Sequence, residues 1–348
     1  MKIVLFGAGG FIGSHLVEHL AARAEHDIVA VDVSDDKLAG IPPTAYRFHR
    51  ADIRSDRDLV DELIAEADLV VDLVAYANPS IYVEAPLEVV DLNFVANLDI
   101  VERCVRHRRR LIQYSSCEVY GKFSGREGDR VDEEADLVYG PVSKHRWIYA
   151  SAKQLLERII HAHGLAGQLE FTILRPFNFI GPRLDYLVPP GTRGGPRVFA
   201  HFMSALLSGG PLQLVDGGTA RRSFLHIADA TAAFQAVLDD PDGSRNAIFN
   251  VGNPDNDTSI RGLAEVMLDV YWELTGEEPT SELVTVAAED FYGAGYDDDG
   301  RLPPDITRLS ALGWKPQRDL RTTVRETMAY YLGEHAAGRL SVPALPVR

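Results

Sequence analysis

Cysteine is scarce in this chain, with Cys104 and Cys117 the two among 348 residues. That excludes a disulfide framework and a CxxC zinc pattern, so no metal site is expected and a reducing cytoplasmic setting is. Long apolar runs are missing too. None reaches the ~18 residues needed to cross a bilayer. The opening Met1-Lys2-Ile-Val-Leu-Phe runs into a Gly-rich turn and is too short for a signal h-region. Positive charge is in deficit: 35 Lys and Arg stand against 51 Asp and Glu, a net charge of -16. Such a surface argues against broad nucleic-acid or anionic-membrane binding, although a local cluster of Arg and amides can still hold a nucleotide. Internal repeats and low-complexity tracts are absent. The 46% hydrophobic content is enough for a large core, and the length suggests two domains, or one with an appended lobe.

The order of elements points to a doubly wound α/β sheet. Ile3–Phe6, Ile28–Val31, Leu69–Leu73, Leu111–Ser115 and Glu170–Leu174 read as buried strands. Helical periodicity over Gly13–Arg23, Asn93–Val105 and Arg146–His163 alternates with them. Strand-helix alternation over the first 182 residues is the pattern of a Rossmann-type parallel sheet. The basic run Arg106–Arg110 reads as cations at a helix C-terminus rather than as a binding patch. After Pro182 the regular alternation ends, and residues 183–225 are rich in Gly, Pro and Arg. Helical segments Ala228–Leu238, Ile260–Leu274 and Leu320–Tyr331 follow. The expected organisation is a Rossmann domain over 1–182 and a smaller substrate-binding lobe over 183–348, some elements of which cross back to the sheet.

Gly7, Gly10 and Gly13 form GxxGxxG between the first strand and the first helix. A tight turn there needs residues without Cβ, and a helix N-terminus offers free N–H groups and a positive dipole end to a pyrophosphate. Asp32 ends the second strand ~20 residues on, where a carboxylate accepts the adenosine ribose hydroxyls. No Arg follows it closely to meet a 2′-phosphate, which favours NAD over NADP. The expected cofactor contacts are Gly7, Gly10, Phe11, Ile12, Gly13 and Asp32, with Asp52 and Ile53 at the adenine edge.

Tyr149-Ala-Ser-Ala-Lys153 is YxxxK. Positions i and i+4 of a helix share a face, so both side chains can enter one cleft. A free tyrosine has a pKa near ~10. An adjacent ammonium and a positive nicotinamide ring favour the phenolate, which can take a hydroxyl proton as hydride leaves the same carbon. Lys153 is also expected to hold the nicotinamide ribose. Ser116, ending a strand upstream, is placed to hydrogen-bond the reacting hydroxyl.

With both motifs present, the chain resembles the extended short-chain dehydrogenases/reductases that act on nucleotide sugars, from Lys2 to about Pro316. Ser115-Ser-Cys-Glu-Val-Tyr-Gly121 is similar to the segment that carries an acidic residue in the decarboxylases and dehydratases of that family. Further matching strings are His145-Arg-Trp-Ile-Tyr149, Arg175-Pro-Phe-Asn178 with Gly181-Pro-Arg183, Val215-Asp-Gly-Gly218, Asn250-Val-Gly-Asn-Pro254 and Phe291-Tyr-Gly-Ala-Gly-Tyr296. They look most like UDP-glucuronate decarboxylases and UDP-apiose/UDP-xylose synthases. The resemblance implies UDP-glucuronate as substrate. Oxidation at C4 by NAD, with Tyr149 as base, gives a β-keto acid. Loss of CO2 then leaves a UDP-4-keto-pentose, which is reduced to UDP-xylose or ring-contracted to UDP-apiose. It further implies Glu118 as acid/base near C5 and C3, Arg146 in the sugar pocket, Asn178 and Arg183 on the UDP, and Arg222 at the diphosphate. Arg301 would lie near the substrate carboxylate with Asp298 beside it. The Arg301 match needs a one-residue deletion, and Asp297-Asp298-Asp299 also reads as a solvated turn. The resemblance implies a homodimer too, built on the helices Asn93–Val105 and Arg146–His163.

One departure bears on the product. In plant apiose synthases a cysteine lies in the loop after the fourth strand, and Ala77 takes that place here. If both thiols serve ring contraction, this chain stops at decarboxylation, with Cys117 either an active-site group or a small filler beside Glu118. Three alternatives stay open at this stage: a UDP-glucuronate 4-epimerase, another nucleotide-sugar epimerase or dehydratase, and an NAD-binding redox sensor without turnover.

Overall fold

The computed structural model describes residues 1–122, 129–189, 192, 197–293 and 303–340. Its centre is a seven-stranded sheet of β1 (Lys2–Phe6), β2 (Asp27–Asp32), β3 (Arg47–Arg50), β4 (Leu69–Asp72), β5 (Arg110–Tyr114), β6 (Phe171–Pro176) and, much later in the chain, Ala247–Val251. Every pairing in it is parallel, in the order Ala247–Val251, β6, β5, β4, β1, β2, β3. This is the Rossmann-type sheet expected from the sequence.

The two-residue period of β1 splits the core. Ile3 and Leu5 face one side, with Leu16 and Leu20 of α1 (Phe11–Arg23). Val4 and Phe6 face the other, with Val60 and Ile64 of α2 (Arg57–Glu66). Both faces are covered, so these strands are apolar on both sides.

After β4 come α3 (Pro79–Glu84) and α4 (Pro86–Val90), then a π-helical segment, Asp91–Ala96, that runs into α5 (Asn97–His107). The sequence pattern predicts one regular helix from Asn93. The wide turn has a side-chain cause: Asn93 turns inward and exchanges two hydrogen bonds with the Tyr76 backbone, at 2.8 and 3.0 Å. Asn97 Nδ2 donates to the Leu92 carbonyl at 2.7 Å. The basic run closes α5 as expected. Arg106 and His107 meet Asp61, and Arg110 bonds Ser244 at 2.7 Å. α6 (Trp147–Leu165) follows β5 and packs on the same face as α5.

Beyond β6 the chain builds β7 (Asn178–Ile180), α7 (Val198–Ser208), β8 (Leu212–Val215), β9 (Arg221–His226) and α8 (Ile227–Asp239). The strand Ala247–Val251 is β10, followed by β11 (Asp257–Ser259), α9 (Ile260–Thr275) and β12 (Leu283–Val286). β7, β9 and β11 form a three-stranded sheet, and β8 pairs with β12. β10 pairs with β6 and α8 packs on α1, so this later half contributes to the main sheet as well as to the small ones. Sequence periodicity misses β3, a polar edge strand (RFHR), and α2. Among the described residues no helix is long and apolar enough to cross a membrane.

One buried ion pair joins α6 to β6. Arg175 donates from Nε to Glu157 Oε1 at 3.1 Å and from Nη2 to Oε2 at 2.6 Å, and its Nη1 donates to the Tyr120 hydroxyl at 2.8 Å. Both members of the pair are buried. Removing one leaves an uncompensated charge in the interior, which costs about 3–5 kcal/mol. Arg175→Leu is therefore expected to lower the urea unfolding free energy by about that amount, whereas a loss below about 1 kcal/mol would show that the pair is not holding α6 in place.

Candidate active site

Parallel register brings the C-terminal ends of β1, β4, β5 and β6 to one edge, the place where open α/β sheets bind ligands. A cleft of about 1140 Å3 lies there, between that edge and the small sheets.

Its dinucleotide end is shaped by glycine. Gly7 has a φ of 82°. A Cβ on Gly9 would stand 1.9 Å from the Ser34 carbonyl oxygen, and one on Gly13 would stand 2.2 Å from that of Gly7. α1 starts with no side-chain cap, so its first N–H groups and the positive end of its dipole are open to an anion. Gly7, Gly10, Phe11, Ile12 and Gly13 all line the cleft. Asp32 sits beside the loop rather than in the cleft, accepting the Gly9 N–H at 2.9 Å and the Ser34 N–H at 3.1 Å. Burial raises its pKa against those hydrogen bonds. Arg50 reaches this corner from β3, a proximity the sequence hides, but it bonds the Val33 carbonyl at 2.7 Å and pairs with Asp35. A close-approach loop, a bare helix N-terminus and a carboxylate at the second strand fit an adenine dinucleotide.

Asp52 closes on Arg54, with Nη2 to Oδ2 at 2.7 Å, and Ile53 is buried in the core beside Val29 and Val31. Neither lines the cleft.

At the centre, α6 presents Tyr149 and Lys153, both buried. Lys153 Nζ donates to the Tyr114 carbonyl at 3.0 Å. Protein groups hold Tyr149 as a neutral phenol: burial raises its pKa most, a hydrogen bond with Ser116 lowers it, and Glu118 and Cys117 raise it further. The phenolate expected from the Lys153 neighbour is thus not produced by the protein's own charges. Ser116 caps the short turn Cys117–Tyr120, its Oγ accepting the Glu118 N–H at 3.1 Å. Arg146, just before α6, donates to Glu118 Oε2 at 2.6 Å and lies 4.8 Å from the centre of the Trp147 ring. Ser116, Cys117, Glu118, Arg146, Tyr149 and Lys153 all line the cleft, as does Ala77.

The opposite wall comes from β7 and β9, where Asn178 is in register with Phe224, two residues after Arg222. Asn178 and Arg222 line the cleft. Arg183, expected on the nucleotide, does not. Its backbone is left-handed, with φ 62°, and turns the side chain toward α1. There it donates to His15 Nδ1 at 3.0 Å and pairs with Glu18. Burial lowers the His15 pKa to about 4, so the neutral ring accepts at Nδ1 and donates from Nε2 to the Pro182 carbonyl at 2.8 Å. Arg301 and Asp298 lie outside the described residues.

Two cleft residues escape motif reading. Tyr82 of α3 stacks on Tyr149, with centroids 4.7 Å apart and planes at 9°. Its signal was available in the Asn78-Pro79 pair, a cap and N1 proline that start a helix directly after the loop holding Ala77. Arg197 belongs to no motif. It forks onto Asp185 at 2.8 and 3.0 Å and lies 5.4 Å from the Phe11 ring centre, joining the substrate wall to the dinucleotide helix.

The profile of the NAD dependent epimerase/dehydratase family matches residues 3–252. The UDP-D-apiose/UDP-D-xylose synthase of Oryza sativa subsp. japonica is 42% identical, over 95% of this chain and 89% of its own. UDP-D-apiose/UDP-D-xylose synthase 2 of Arabidopsis thaliana is 40% identical, over 100% of this chain and 95% of its own. Among solved structures, PbgP3 protein from Burkholderia pseudomallei superposes with a TM-score of 0.85 at 32% identity, covering 98% of this chain and 99% of that one. Fold, cleft and relatives agree: this chain is an enzyme of the NAD dependent epimerase/dehydratase family, with NAD as its cofactor.

Proposed function

We propose that this enzyme oxidises UDP-glucuronate at C4, releases the C6 carboxylate as CO2, and reduces the resulting UDP-4-keto-pentose to UDP-xylose. The observation that carries this reading is the carboxylate of Glu118 in one cleft with the Tyr149–Lys153 pair, held at 2.6 Å by a buried arginine. Hydride chemistry alone needs Tyr149, Lys153 and Ser116. An additional acid/base group fits a reaction that must also handle protons at neighbouring carbons. Full-length similarity to UDP-apiose/UDP-xylose synthases supports the substrate assignment.

NAD, held at the Gly loop, would supply the hydride acceptor and donor and a positive ring that favours the Tyr149 phenolate. Tyr149 takes the C4 hydroxyl proton, Ser116 holds that oxygen, and Lys153 holds the nicotinamide ribose. Once C4 is a ketone, the C6 carboxylate is β to a carbonyl, and the C5–C6 electron pair passes into an enolate as CO2 leaves. Glu118, oriented by Arg146, relays a proton from solvent to C5. Tyr149 then returns its proton to the C4 oxygen as the ketone is reduced. Asn178 and Arg222 hold the UDP, the guanidinium pairing diphosphate oxygens. Arg301 is proposed at the substrate carboxylate, with Asp298 beside it. Cys117 is the one thiol among the described cleft-lining residues, and Ala77 shares that lining, which favours UDP-xylose over the ring-contracted product.

Incubation with UDP-glucuronate and NAD is expected to release CO2 and give UDP-xylose; UDP-galacturonate without CO2 would instead make the enzyme a 4-epimerase. Tyr149→Phe should slow turnover by about 100- to 10000-fold, the range for a general acid/base. Glu118→Gln should still reduce NAD and release CO2 in a single turnover, while formation of UDP-xylose falls by a comparable factor. If NAD reduction falls with it, Glu118 serves the oxidation and not the C5 protonation.

We infer a homodimer through the α5–α6 face. Leu87 on α4, Val95 in the π segment and Leu155 on α6 are 80%, 53% and 45% exposed on elements that pack against one another. Apolar side chains grouped in this way mark interaction surfaces. Light scattering should give twice the chain mass for the wild type and the single chain mass for a Val95→Glu/Leu155→Glu variant. A wild-type monomer would refute the dimer.

A further inference from the structure

Beneath Tyr149 and Lys153 lies a buried polar cluster that this scheme does not use. Strand register sets Asp72, the last residue of β4, opposite Gln113 of β5. Asp72 is 0% exposed and Gln113 is 1% exposed. Asp72 Oδ1 accepts the Val74 N–H at 3.0 Å, and Oδ2 has no partner among the described residues. Gln113 Nε2 donates toward the Asp72 carbonyl at 3.3 Å and the Tyr114 carbonyl at 3.4 Å. That same Tyr114 carbonyl accepts the Lys153 ammonium. A run of polar groups therefore leads from the Asp72 backbone carbonyl through the Gln113 amide and the Tyr114 carbonyl to Lys153, and the buried Asp72 carboxylate stands at its start.

An ammonium that is 1% exposed has lost its hydration and requires a counter-charge. Two carboxylates favour the charged form of Lys153, Asp72 more than Glu157. Glu157 is already closed on Arg175 by two hydrogen bonds. The groups facing Asp72 are Lys153 from α6, the Cys104 thiol from α5, the Gln113 amide from β5 and the Val74 N–H of its own loop. Burial keeps Cys104 a neutral thiol, and Asp72 reinforces this. Lys153 is the cation in that set.

We propose that Asp72 is a positioning residue whose carboxylate holds Lys153 as an ammonium, so that Lys153 stays charged toward Tyr149 and the nicotinamide ribose. This rests on Tyr149 and Lys153 being the hydride-site pair. Burial pushes Asp72 up to about 6 and pushes Lys153 down, and each favours the charge of the other. Above that value the Asp72 carboxylate is ionised and faces Lys153 as its counter-charge. Without the carboxylate, burial acts on Lys153 with less opposition, and its proton leaves at lower pH.

Infrared difference spectroscopy reads the Asp72 charge without turnover. At pH 8 the wild type, referenced to Asp72→Asn, should show no protonated-carboxyl stretch. Lys153→Met should show one such band, and adding Asp72→Asn should abolish it. A band in the wild type at pH 8, or none in Lys153→Met, overturns the proposal. In turnover, folded Asp72→Asn should move the alkaline limb of the kcat–pH profile down by about one unit or more. An unmoved limb overturns it as well. If Asp72→Asn fails to fold, comparing Lys153→Met with the wild type still decides the matter. The spectrum needs no substrate, so failure of the UDP-glucuronate reading leaves it intact.

Discussion

The forked pair between Arg175 and Glu157 fixes α6 against β6, and what α6 carries depends on it. Tyr149, Lys153 and Glu157 stand at i, i+4 and i+8, one stripe of one helix. Anchoring the last of them sets the height and rotation of the other two over the sheet edge. The same guanidinium reaches the Tyr120 hydroxyl, at the end of the turn that holds Ser116 and Glu118. One buried arginine thereby registers both halves of the proposed catalytic centre. This explains why Arg175 heads the string Arg175-Pro-Phe-Asn178, although it does not line the cleft itself.

Around that anchor, charges come in local pairs: half-buried Glu118 with buried Arg146, half-buried Asp185 with the partly exposed Arg197, and buried Glu157 with buried Arg175. Such pairs are seldom strong sources of stability, because desolvation offsets most of the attraction. Their effect is positional, holding each charge at one place in a low-dielectric cleft. Tyr149 is the contrasting element. Burial keeps it neutral, with Glu118 and Cys117 acting in the same direction. In the proposed reaction, a positive charge arriving with the oxidised cofactor would favour the phenolate and so couple base strength to cofactor occupancy.

Much of this was legible in the sequence. GxxGxxG, Asp32 and YxxxK give local signals, because each is a short segment whose spacing maps onto one turn or one helix face. The parallel sheet followed from alternation of apolar strands with helices. What the sequence hid depends on contacts between distant segments. Arg183 sits in a matching string, yet a left-handed backbone turns it onto Glu18. Tyr82 meets Tyr149 only because α3 folds over α6, and Arg50 reaches the Asp32 corner only through strand pairing. The π turn depends on Asn93 finding the Tyr76 backbone, and nothing in helical periodicity announces that. Asp72 reads as the end of a buried strand until its register partner Gln113 and the Tyr114 carbonyl connect it to Lys153.

In the proposed reaction one retained cofactor both removes and returns the C4 hydride, and C6 is lost between the two steps. The most direct measurement uses UDP-glucuronate deuterated at C4, in large excess over enzyme, with unlabelled NADH in solution and NMR of the product. UDP-xylose should carry deuterium back at C4 after many turnovers, with no exchange with the NADH pool. Protium at C4, or a product that keeps its C6 carboxylate, would contradict it.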